Sequence, residues 1–342
     1  MLADQNSNRA IAIWLFVVAA LIFSMVVLGG VTRLTRSGLS MVEWEPIMGV
    51  VPPITEEQWQ ETFHKYKQFP EYQKINKGMD VHEFKSIFWF EYSHRLLGRT
   101  IGLAFLIPFV FFVVRKKIEK RDVPKYLLMF VLGGLQGLLG WYMVKSGLVS
   151  RPHVSQYRLT AHLIAAIAIY SYILWIAWGL VVPRQETEAA RLRPLRNLGI
   201  ALTGLIVLMI LSGGFVAGTK AGLAYNTFPT MNGYWVPDGL YVMQPWWLNW
   251  FENATTIQFN HRMIAWILIF SVPAYWYFAM RRHPDRATQL SLHLLLAMLI
   301  VQVTLGITTL LHAVPVALGA AHQAGALLLL TSALYVLRRL TN

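Results

Sequence analysis

The stretch "WFEYSHRLLGRTIGLAFLIPFVFFVV", Trp89–Val114, decides how the chain is read. As a helix rising about 1.5 Å per residue it would cross the roughly 30 Å hydrocarbon core of a bilayer. Its first turns nevertheless carry Glu91, His94, Arg95 and Arg99. An unpaired charge at the centre of a span costs on the order of 3 kcal/mol, so such groups are expected where they hold or move something.

The rest of the chain supports a membrane class. Its 342 residues are 56% hydrophobic and 14% charged, against roughly 25% charged in a soluble domain. Apolar runs predict eight spans, at Ala10–Val31, Ser86–Val114, Lys125–Val144, Gln156–Val182, Leu198–Gly218, Thr255–Met280, Ala287–His312 and Pro315–Leu337. The net charge of +13 does not point to nucleic acid. Most Lys and Arg lie in "RKKIEKRDVPK", "PRQETEAARLRPLR", "RRHPDR" and the terminal "RR", which share one side if the spans number eight. Both termini are then expected in the cytoplasm, with the loops after spans one, three, five and seven outside. The absence of cysteine excludes disulfides and thiolate metal sites. The first apolar run is too long for a cleavable signal and lacks a small-residue cleavage site, so it is taken as the first span.

The first large outer loop carries helix signals of its own. In "PITEEQWQETFHKY" Thr55 and Gln58 have capping-box spacing, and Trp59, Phe63 and Tyr66 follow at helical intervals. In "MDVHEFKSIF" Asp80 and Glu83 repeat the capping pattern. Short amphipathic helices on the outer surface are expected from both.

Self-comparison shows an internal repeat. "GGVTRLTRSGLSMVEW" from Gly29 aligns with "GGFVAGTKAGLAYNTF" from Gly213, and "FEYSHR" with "IQFNHR". "LQGLLG" aligns with "VQVTLG", and "LTAHL" with "GAAHQ", all in the same order. Two tandem four-helix bundles follow, related by an axis along the membrane normal. The expected division is residues 1–182, a cytoplasmic linker at 183–197, and residues 198–342.

The repeat duplicates two histidines, His94 with His261 and His162 with His322. Each lies on an even-numbered span, roughly 9–12 Å below the outer surface. His64, His82, His153 and His283 are expected to face water, and His293 and His312 have no counterparts in the repeat. Zinc would want more ligands than two imidazoles, and a quinone needs only one. A haem iron takes two axial ligands on a flat apolar macrocycle, which suits a four-helix interior. Gly98, Gly134, Gly137, Gly140, Ala320, Ala321 and Gly325 could make room for it. Arg95 and Arg262, each following a candidate ligand, could meet its propionates. The halves differ at Glu91, which corresponds to Gln258. A carboxylate one turn from His94 can move protons, whereas an amide cannot, so a reactive first site and an electron-holding second site are expected. A plain Glu91–Arg95 salt bridge at i,i+4 is the competing expectation.

These motifs, with "GGVTRLTRSGLSMVEWEPIMGVVPP", "EYSHRLLGR" and "GGFVAGTKAGLAYNTFPTMNGYWVP", run along nearly the whole chain, which resembles the haem A synthase family in its alphaproteobacterial and mitochondrial form. The resemblance implies an all-α membrane protein of eight helices in two pseudo-symmetric bundles. It implies oxidation of the C8 methyl of haem O to a formyl group by successive hydroxylations, with water lost from the gem-diol. Carried over, His94 and His162 flank the haem O substrate, Glu91 is the acid/base, and His261 and His322 ligate a resident haem b. Some bacterial members carry paired cysteines in the outer loops; this chain has none, so a thiol-based step is excluded. A bacterial inner membrane is the expected location. Haem O synthase, an electron donor and a second copy of the chain are candidate partners. Two other classes stay open here: a bis-haem cytochrome carrying electrons from quinol, against which Glu91 argues, and a transporter, against which the absence of a midplane charge cluster argues.

Overall fold

The computed structural model describes residues 2–43, 50–147, 154–182 and 189–341. His153, residues 44–49 of the first motif and the opening of the 183–197 linker lie outside them. Among the described residues there are eight helices long and apolar enough to cross a membrane. They are α1 (Leu2–Leu34), α4 (Val81–Val114), α5 (Val123–Gly147), α6 (Gln156–Val181), α7 (Ala189–Thr219), α8 (Ala254–Met280), α9 (Arg286–Leu311) and α10 (Val316–Thr341). The short α2 (Glu56–Lys67) and α3 (Pro70–Lys74) lie between the first two. The all-α membrane class is as the sequence implies. α7 starts inside the stretch expected as a linker.

Lipid-compatible surface is plain on α5, where Leu127, Leu128, Val131, Leu135 and Leu138 are all exposed. In water such a stripe would be a liability; in hydrocarbon it is the expected outer face.

The chain separates into two compact units, Ala20–Ala166 and Met1–Ala19 with Ile167–Asn342. In the second, α7 packs on α8 and α10, and α9 packs on α8 and α10, closing a ring of four. In the first, α4 packs on α5 and under α2.

α2 starts as its sequence says. Thr55 accepts from the Gln58 N–H while Gln58 accepts from the Thr55 N–H. Trp59, Phe63 and Tyr66 then bury one face against Phe84, Phe88 and Tyr92 of α4, each such side chain contributing on the order of 1.5–3 kcal/mol. The second capping signal belongs to a different element than expected. Asp80 accepts from the Glu83 N–H, but the helix it starts is α4 itself, unbroken to Val114. No separate surface helix forms there, because Phe84, Phe88 and Tyr92 continue the α4 stripe that α2 covers.

Candidate functional site

Glu91, His94 and Arg95 fall within one turn of α4 and share a face of it. Glu91 is 3% exposed, and donors fill both its oxygens. Arg95 Nη2 and Nε donate to Oε1 at 2.6 and 3.1 Å, while Ser40 Oγ and the Met41 N–H donate to Oε2 at 2.8 and 2.7 Å. Arg95 also donates to the Met41 carbonyl at 2.8 Å and the Glu43 carbonyl at 3.0 Å. The salt bridge that the spacing allowed is therefore present, and it pins the loop after α1 onto α4. Removing one partner of a buried pair costs about 3–5 kcal/mol. Such pairing is how this span tolerates Glu91 and Arg95.

One turn further along, His94 faces α1 at Gly29, where a Cβ would come 3.1 Å from its Nε2. On α6, His162 exerts its electrostatic field on His94. It backs onto Gly140 of α5, where a Cβ would come 2.9 Å from its Cε1. Gln136, one turn before Gly140, donates to the His162 carbonyl at 2.8 Å. His162 Nδ1 is buried without a hydrogen-bond partner among the described residues.

The other unit repeats this geometry position by position. Arg262 donates to the Tyr225 carbonyl at 3.1 Å and the Thr227 carbonyl at 2.9 Å. Tyr225 and Thr227 stand 184 residues after Met41 and Glu43, as Gly213 stands after Gly29. A Cβ at Gly213 would lie 3.5 Å from His261 Cε1, and one at Gly306 would lie 2.9 Å from His322 Cε1. His261 also lies within the electrostatic field of His322. Here the second ring nitrogens are held: His261 Nδ1 pairs with Ser212 Oγ at 3.2 Å, and His322 Nδ1 with Gln302 Nε2 at 3.2 Å. Gln258, 2% exposed, donates to the Tyr225 carbonyl at 3.0 Å. Among the described residues, no three His, Cys, Asp or Glu side chains gather as a simple metal-ion site would need.

The model of the cytochrome oxidase assembly protein family matches residues 12–334. The chain belongs to that family. A family relative from Nitrosomonas eutropha, named heme A synthase, is 54% identical over 98% of this chain and 95% of its own length. One of the same name from Nitrosospira multiformis is 56% identical over 96% of this chain and 93% of its own. A family relative from Arabidopsis thaliana, named heme A synthase COX15, is 45% identical over 95% of this chain and 73% of its own.

Several residues of the site escaped the sequence. Gln136 and Gln302 were visible as an aligned pair but carried no role. Ser40 and Ser212 gave no signal, because Ala224 stands 184 residues after Ser40 and Leu28 the same distance before Ser212. Of the glycines expected to make room, Gly140 does face a histidine, whereas Gly134 and Gly137 are exposed with no described atom near a Cβ position.

Proposed function

We propose that the chain is a haem A synthase, oxidising the C8 methyl of haem O to a formyl group within a membrane. One observation carries this to particular atoms. Two equivalent histidine pairs sit in equivalent glycine-backed cradles, and only the first has a carboxylate one turn away. Paired imidazoles with no third metal ligand among the described residues, each ring seated against a glycine, fit an iron macrocycle.

His94 and His162 would hold the haem O substrate. His261 and His322 would hold a haem b, which supplies one-electron redox capacity when bound. A ligating imidazole normally has its other nitrogen fixed by a neighbour. Ser212 and Gln302 do this in the second unit, which suits a resident group, while His162 Nδ1 has no such partner among the described residues, which suits one that comes and goes.

Glu91 is the acid/base in this reading. The Arg95 and Met41 contacts to it can only donate, but the Ser40 hydroxyl can turn and accept. A proton taken from the reacting methyl side is therefore held on Oε2, with Ser40 as its acceptor. Ala224 and Gln258 leave the second unit without that capacity.

Arg95 and Arg99 border a cleft of about 330 Å³ at the end capped by α2, which would place cations beside the substrate's propionates; Lys65 in the same cleft is paired with Glu43 and Glu61. Arg262 gives its Nη atoms to loop carbonyls, and its Nε, buried without a partner among the described residues, would be free to meet a propionate. Residues 1–182 would form the substrate half and 198–342 the resident-haem half, joined by 183–197, with both termini in the cytoplasm. Haem O synthase, an electron donor and further copies of the chain would be its neighbours in the bilayer.

The test is conversion of haem O in membranes that lack their own activity. Wild-type chain yields haem A, and Glu91→Gln keeps its haem but accumulates haem O or a hydroxylated product. Full haem A yield from Glu91→Gln would remove the assigned role.

A further inference from the structure

The two units differ at one further place, a turn beyond the second histidine of each. His322 stands 160 residues after His162, and Gly325 the same distance after Ala165. The preceding helix of each unit carries a matched glutamine, Gln136 on α5 and Gln302 on α9, one turn before the matched glycines Gly140 and Gly306.

The glutamines reach different atoms. The Gln302 amide nitrogen lies 3.2 Å from His322 Nδ1 and also donates to the His322 carbonyl at 3.1 Å. Gln136 donates to the His162 carbonyl at 2.8 Å, while Gln136 Oε1 and His162 Nδ1 are both buried without a partner among the described residues. The rings themselves are seated alike, since a Cβ at Gly140 or at Gly306 would come 2.9 Å from the Cε1 of its histidine. Ring position therefore does not account for the difference. The residue against the amide does. A Cβ at Gly325 would overlap Gln302 Oε1 and come 3.5 Å from its Cδ, so the amide fills the space that a side chain there would take. Ala165 carries that carbon, and an amide placed like that of Gln302 would collide with it.

The space has a chemical use. An imidazole that gives Nε2 to a metal carries its hydrogen on Nδ1, where a neighbouring acceptor fixes it. The amide nitrogen can only donate, whereas the amide oxygen accepts. Gln302 Oε1 is buried without a partner among the described residues, and half a rotation of the amide presents it to Nδ1. Glycine at 325 leaves room for either end of the amide.

We propose that the Gly325/Ala165 difference sets how firmly each unit holds its second histidine. Gly325 admits the Gln302 amide onto the His322 ring and fixes that ring for a resident haem. Ala165 keeps Gln136 off the His162 ring, which stays unfixed for a macrocycle that enters and leaves. Gln302 and Gly325 act through His322, so they are positioning residues. The inference rests on the reading of the second unit as the resident-haem site.

Haem transfer from the purified full chain to apomyoglobin measures retention, and the reduction potential of haem B reports on the ring. Gly325→Ala and Gln302→Ala should each speed haem B loss about tenfold, the lower end of what such supporting contacts are worth. Each should also raise the haem B potential, because the imidazole loses the acceptor that makes it more basic. Gly325→Ala should add nothing in a Gln302→Ala background, where the group it displaces is already gone. Conversely, Ala165→Gly should slow haem O loss from the first unit about tenfold, and Gln136→Ala should abolish that gain. Additive losses from Gly325→Ala and Gln302→Ala would mark a mere packing disturbance and overturn the proposal. An unmoved potential, or haem O retention indifferent to Ala165→Gly, would overturn it as well. Failure of the resident-haem reading shows separately, as wild-type chain that yields no haem B on extraction. The nitrogen-15 resonance of His322 Nδ1 still reports the grip in that case: it should move in Gly325→Ala, and an unchanged resonance would refute the contact.

Discussion

Around His94, the Met41 amide gives its hydrogen to Glu91; at the matching place around His261, the Tyr225 carbonyl takes one from Gln258. The arginines beside them do the same work in both units, each bonding the carbonyls at two equivalent positions of the preceding loop. The scaffold that fixes loop to helix is thus duplicated, and the atoms that can accept a proton are not. The loop-to-helix contacts include an anion in one unit and a neutral amide in the other. A neutral amide suffices for the staple, so the carboxylate in the first unit needs another reason. Proton transfer is the one that the Ser40 contact supports.

The largest effect that could break this comparison is loss of a ligand. His261→Ala or His322→Ala should remove the resident haem completely, while haem O binding by the first unit persists. Pigment extraction measures both, and loss of both pigments together would mean that the units do not hold them separately. Next comes the acid. Glu91→Gln should lower formyl production by about 10² or more, as loss of a positioned acid/base does, and the reciprocal Gln258→Glu should not restore it.

A third, smaller effect sharpens the cradle argument. Gly140→Ala and Gly306→Ala would each place a methyl carbon 2.9 Å from a histidine ring, closer than packed atoms tolerate. Each should weaken haem retention several-fold in its own unit only, an overpacking penalty of about 1–3 kcal/mol. The smallest concerns the staple. Arg262→Lys keeps the charge but loses the planar fork, so hydrogen exchange at residues 225–230 should quicken, and haem retention should fall by less than in Gly306→Ala.

Much of this was legible in the sequence. The eight spans follow from apolar length, and the four histidines from a repeat whose motifs stay in order. The capping box at Thr55 and the aromatic stripe after it predicted α2 correctly. The same logic at Asp80 found a real helix start but assigned it to a separate surface helix, since a cap signals where a helix begins and not how far it runs. Contacts between distant segments were not legible. Ser40 meets Glu91 across 51 residues, and nothing local to "GLSM" announces it. Glu71 is the clearest case: an acid within a polar segment reads as solvent-facing, yet it is 5% exposed beside the Tyr66 hydroxyl.

The most direct test of the central claim is the pigment content of the purified wild-type chain, separated by chromatography. The account predicts haem B together with haem O or haem A, the latter two lost on replacing His94 or His162 and haem B lost on replacing His261 or His322. Two equivalents of haem B and no other macrocycle, or a colourless protein, would contradict it.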